Sequence, residues 1–130
     1  LEFEEDNLLT RWKLSSNGLI SSQTENIILQ CNRLPLNAKL FEEDAIVLKG
    51  MKSTKLRLAC TKSEHGFDFR FQSFPFFGIW AAKNAPFVCL EPWQGIADNE
   101  NHNQDIFQKE GIKVLHPGQT WSAYWEVAVF

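Results

Sequence analysis

The chain has 130 residues, 44% of them hydrophobic and 22% charged, with a net charge of −3. That balance fits one globular domain with a buried core and excludes a disordered chain. The mild negative charge gives no electrostatic basis for binding nucleic acid, and no apolar run is long enough to cross a bilayer as a helix.

In chain order, Leu1-Glu2-Phe3-Glu4 alternates as though already within a strand. No Met or capping signal comes before it, so partner strands upstream are expected. Leu8–Leu14 reads as extended, Ser15-Ser16-Asn17-Gly18 as a turn, and Leu19–Thr24 as a short polar segment. Ile27–Cys31 is a strand or a helical turn, and Leu34-Pro35-Leu36 breaks any helix. Leu40–Glu43 reads as a brief helical turn leading into a strand over Ala45–Leu48. Lys55–Cys60 and Phe67–Phe71 alternate with period two around Ser63-Glu64-His65-Gly66 and predict a hairpin. Pro75 puts Phe74–Trp80 at an edge or bulge. The apolar run Phe87–Leu90 predicts a strand covered on both faces, with Glu91 at its end and held extended by Pro92. A polar loop over Ala97–Asp105, a turn at Lys109–Gly111 and a short strand over Ile112–Leu115 follow. Trp121–Phe130 closes the chain with Trp121, Ala123, Trp125, Val127 and Val129 on one face. No long helical periodicity occurs, so the predicted class is all-β, an antiparallel β-sandwich formed by one domain over residues 1–130.

The chemistry centres on Pro86–Asp98, P-F-V-C-L-E-P-W-Q-G-I-A-D. A carboxylate leaving a buried strand beside an indole is partly desolvated, which favours proton transfer. Its alternative is a strand-ending Glu that binds nearby backbone N–H groups. Three cysteines, Cys31, Cys60 and Cys89, are too few for a disulfide framework and suit buried thiols in a reducing cytosol. No C-x-x-C or His cluster offers a metal cage.

C-L-E-P-W-Q-G-I-A-D, followed by K-E-G-I-K-V-L-H-P-G, resembles the C-terminal part of the aldose 1-epimerase (galactose mutarotase) family, in the branch with E-P-W where other members have E-T-Q. The resemblance implies a large β-supersandwich, incomplete in this chain, in a cytoplasmic enzyme that needs no cofactor and interconverts the anomers of a free hexose. Glu91 takes the position of the family's base. The acid is a His, in this branch within an H-P-x-F motif, expected upstream of Leu1. His65, His102 and His116 read as solvated loop residues. Asp44, ahead of a strand, matches a sugar-contacting Asp, with Ala45 where many members have His. Its alternative is a charge in an acidic turn.

Sugars are held by aromatic faces and by polar groups on their hydroxyls. Trp93 is the expected platform and Trp80 a second, for which core packing is the alternative; Gln94 and Asp98 are near in sequence. The rival readings are a hexose 6-phosphate mutarotase, which needs a cationic phosphate site, and a non-catalytic carbohydrate-binding sandwich. A glycoside hydrolase needs a second carboxylate at a set separation. Each reading takes a small-molecule sugar as partner, with no nucleic acid and no membrane.

Overall fold

A computed structural model describes all residues, Leu1–Phe130. Nine strands follow one another: β1 (Glu2–Phe3), β2 (Leu8–Leu14), β3 (Ile20–Ile28), β4 (Ile46–Lys49), β5 (Lys55–Ala59), β6 (Gly66–Gln72), β7 (Phe76–Trp80), β8 (Cys89–Trp93) and β9 (Tyr124–Val129). They form two antiparallel sheets, in the orders β1-β5-β6-β9 and β3-β2-β4-β7-β8. The only helical elements are short 3₁₀ turns at Ala38–Phe41 and Ile106–Gln108. No helix is long and apolar enough to cross a membrane.

The sheets face each other across a core built from alternate residues of each strand. Leu9, Ile46, Leu48, Phe77 and Ile79 come from the five-stranded sheet, and Phe3, Leu56, Phe69 and Phe71 from the four-stranded one. Phe77 locks the two together, with its ring centroid 4.4 Å from Phe71 and 6.3 Å from Phe69. Burying such a side chain stabilises the fold by about 1.5–3 kcal/mol. The five-stranded sheet also buries its outer face, where Ile20, Ala45, Val47, Phe76 and Ile96 cluster with Trp12, Leu14, Trp80 and Trp93 half-buried around them. Ala45–Leu48 is therefore an unbroken apolar run because β4 is covered on both faces.

The predicted hairpin forms with Leu56 opposite Phe69 and Arg57 opposite Asp68. Arg57 Nε donates to Asp68 Oδ1 at 2.6 Å and Lys55 Nζ lies 3.1 Å from Oδ2. The Arg57 guanidinium chiefly holds the Asp68 carboxyl far below the usual carboxylate range. On β9, Trp125, Val127 and Val129 share one face, opposite Phe71, Phe69 and Phe67, as the alternation predicts.

Several local expectations fail. The polar segment from Leu19 belongs to nine-residue β3, polar because it is an edge strand with Ser22–Asn26 in solvent. Phe74–Trp80 is not an edge. Pro75 stops short of β7, which runs between β4 and β8, and its carbonyl accepts from Gly50 N at 3.2 Å. Conversely, β8 is an edge strand, half-buried along its length, and Phe87 lies outside it with half its surface exposed. An apolar run alone does not separate central strands from edges; Pro92 does, since a residue without an N–H suits an edge. Ile112–Leu115 forms no strand. Cys31 and Cys60 are exposed rather than buried, and Cys89 is half-buried.

Between β8 and β9 the sandwich stays open, leaving an apolar groove of about 350 Å³ whose lining includes Val88, Leu90, Pro92, Trp125 and Val127.

Candidate functional site

Cross-strand register sets Trp12 opposite Val47, Val47 opposite Gly78 and Gly78 opposite Glu91. These four residues form one row across the outer face of the five-stranded sheet. Glu91 ends the row on the edge strand, half-buried. It is the middle residue of β8 rather than its end, since Pro92 and Trp93 still pair with Phe77 and Phe76. Cys89 lies two residues away on the same face. Burial first, and then the Glu91 carboxylate, push its thiol above the ordinary range, so it stays a neutral group beside Glu91. Trp93 lays its six-membered ring over Gly78, where a Cβ would come within 3.0 Å of Cε2 and nearer still to the outer ring carbons.

The segment after β8 turns back across this face as a strap. Ile96, 5% exposed, packs into the outer cluster with Ile20 and Val47. At the far edge Ile20 N donates to Asp98 O at 2.8 Å and Glu100 N to Ile20 O at 2.9 Å. The Lys109-Glu110-Gly111 turn fastens the strap. Lys109 Nζ reaches Asp98 Oδ1 at 2.6 Å and Glu110 Oε2 reaches Lys49 Nζ at 2.6 Å. Lys49 Nζ also stands 4.1 Å from the centroid of Trp12. Gly111, at φ +76°, fits against the Phe76 ring, and its carbonyl accepts from Gln94 Nε2 at 3.0 Å. Gln94 and Asp98 are thus occupied in holding the strap, and Lys109 lowers the Asp98 carboxyl below its ordinary range.

Beside the row is a cavity of about 680 Å³ whose lining includes Lys13, Glu43, Asp44, Trp80 and Lys83. Buried Arg11, itself outside the lining, holds the loop that lines it, with its Nη2 donating to Glu43 O at 2.9 Å and Asp44 O at 3.1 Å. Asp44 is exposed at φ +70°, and its Oδ1 accepts from Ala45 N at 2.7 Å. Trp80 pairs with Cys89, so it is the diagonal neighbour of Glu91, about 7–8 Å away by sheet geometry.

Two solved structures share this architecture. A galactose mutarotase-related enzyme from Lactobacillus acidophilus matches with a TM-score of 0.77 and 24% identity, over 98% of this chain and 42% of that one. A galactose mutarotase-like protein from Lactobacillus casei matches with a TM-score of 0.76 and 24% identity, over 98% of this chain and 43% of its own. The chain has the galactose mutarotase-like fold. The chromosomal and plasmid LacX proteins of Lactococcus lactis subsp. lactis are each 29% identical over 114 residues, 86% of this chain and 38% of theirs. The chain thus spans less than half the length of each of these relatives. No family profile matches it.

The likeness read from the E-P-W and K-E-G-I motifs is borne out in the fold. Within it, Asp44 and Trp80 share the cavity, while Glu91 and Trp93 lie outside its lining, on the neighbouring part of the same sheet face. His65, His102 and His116 are exposed, and none lines the cavity. Sequence reasoning missed Arg11, Lys49 and Gly78. Arg11 did leave a trace: it has the same strand parity as buried Leu9, a buried charge that needs partners.

Proposed function

We propose that this chain forms the base-bearing sheet of an aldose 1-epimerase-like protein acting on a free hexose. The observation that carries the reading is the row ending at Glu91, with the indole of Trp93 laid beside it over Gly78. Glu91 takes the proton of the anomeric hydroxyl while an acid protonates the ring oxygen. The bond between C1 and that oxygen breaks to an open aldehyde, and the reverse steps close the ring on the other face. Each group needs hydrogen-bond reach, about 2.6–3.2 Å, and no cofactor enters the proton count. The acid is proposed as a group facing Glu91 in the longer protein.

The ligand proposed is a neutral sugar. Trp93 and Trp80 offer ring faces for C–H patches and Asp44 an acceptor for hydroxyls. A phosphorylated hexose fits less well. The lysines of the cavity, Lys13 and Lys83, are outnumbered by Glu42, Glu43 and Asp44, and Lys13 is already paired with Glu43 at 2.9 Å.

The test is Glu91→Gln in the intact protein, followed by polarimetry on freshly dissolved α-D-galactose and α-D-glucose. Removing the base should slow anomer interconversion by about 10²–10⁴-fold with folding unchanged. Activity within a few-fold of wild type would remove Glu91 from the role. Sugar binding without turnover in the wild type would instead make this a carbohydrate-binding sandwich.

A further inference from the structure

Glycine in the interior of a central strand weakens it, so its presence there points to a close approach by another group. Gly78 lies in such a place, between Val47 on β4 and Glu91 on β8. Its own backbone does not require glycine, because its φ lies outside the left-handed region. Space does. A Cβ at this position would come within 2.5 Å of Trp93 Cη2 and 3.0 Å of Cε2. Trp93 pairs with Phe76, two positions along the ladder on the same face, so its indole leans back along the strand to fill the place a side chain at 78 would take.

Directly cross-strand neighbours have Cβ positions about 4.5–5.5 Å apart. The missing side chain of Gly78 therefore brings the Trp93 ring into the immediate neighbourhood of Glu91. Even a methyl at 78 would lift the indole off the sheet, outwards into the space over the carboxylate. The inner face of β7, which carries Phe77 and Ile79 into the core, would not feel it.

We propose that Gly78 is a positioning residue that seats Trp93 against the sheet beside Glu91, and so sets where a sugar ring stacks relative to the base. This rests on the reading of Glu91 as base and Trp93 as platform.

The experiment compares Gly78→Ala, Trp93→Leu and the double variant in the intact protein, using sugar kinetics and the indole N–H resonance of Trp93, assigned by its loss in Trp93→Leu. Gly78→Ala should move that resonance and raise KM for galactose or glucose by about ten-fold, with kcat within three-fold. In the Trp93→Leu background, where the ring is gone, the same substitution should change KM less than two-fold. An unmoved resonance, or an equal cost in both backgrounds, would overturn the proposal. If Gly78→Ala alone fails to fold, recovery of folding in the double variant supports the seat, and failure of both overturns it. Should the wild type prove inactive, the proposed function fails, yet the resonance and the folding rescue still decide whether Gly78 seats Trp93.

Discussion

Ile96→Ala tests whether the strap is a separately openable unit laid on the sheet. Ile96 is 5% exposed and packs on Ile20 and Val47, so its side chain is almost wholly buried. The substitution removes three carbon groups, about 2.4 kcal/mol at ~0.8 kcal/mol each. That is near the low end for such truncations, as expected where a loop closes part of the gap. Because the strap contributes nothing to the core between the sheets, the loss should appear as local opening rather than global unfolding. Converted at 1.4 kcal/mol per decade, it amounts to about a fifty-fold rise in opening. The amides to follow by hydrogen exchange are Ile20 N, bonded to Asp98 O, and Glu100 N, bonded to Ile20 O. They should lose about fifty-fold in protection while β5 and β6 amides, such as those of Leu56 and Phe69, change little. A uniform loss across both sheets would refute the reasoning, as would unchanged protection at Ile20.

Phe77→Ala should have the opposite distribution. Phe77 locks the two sheets together through Phe69 and Phe71, so its loss should cost about 3–5 kcal/mol and lower Tm by more than 10 °C in a thermal melt. Asp68→Asn should flatten the acid limb of stability. The native carboxyl sits far below its ordinary value, so the unfolded chain binds the extra proton. The Asp68 contribution is therefore fully present above about pH 4 and fades as pH falls below it, and melts of the variant between pH 4 and 2 should show a smaller loss than wild type. Lys49→Met should release Glu110 and loosen the strap, exposing Trp12 to acrylamide quenching. A Trp12 signal as protected as in wild type would show that the ion pair does not hold the turn.

What the sequence made legible follows the range of the interactions involved. The β5–β6 hairpin was readable because its alternation, its turn and its cross-strand pairs all lie within eighteen consecutive residues. The strand that carries Glu91 was readable as a strand, but neither its edge position nor Glu91's place in its middle was. The failures depend on sheet order, which periodicity does not carry. β3 is polar because it is an edge strand with Ser22–Asn26 in solvent, and β7 is central although a proline precedes it. The same holds for the site. Gly78 gains its meaning only once β7 and β8 are in register, and Lys49 only once Glu110, 61 residues later, returns to it. Asp44 and Trp80 were each guessed alone; their shared cavity is a product of the fold.

Pro92 has a consequence beyond holding Glu91 extended. As part of an edge strand it removes one N–H from the row that β8 presents, so a further strand growing onto that edge would meet a missing rung beside Glu91. It acts as a gatekeeper, denying that border of the five-stranded sheet to edge-to-edge polymerisation. β9, at the end of the other sheet, has no such stop. Its six residues carry Trp125, Val127 and Val129 at 61%, 44% and 81% exposure, with no proline and Glu126 as the one charge. Any tendency of these sheets to extend by recruiting strands is thereby directed to β9, leaving the edge that holds the proposed base ungrown.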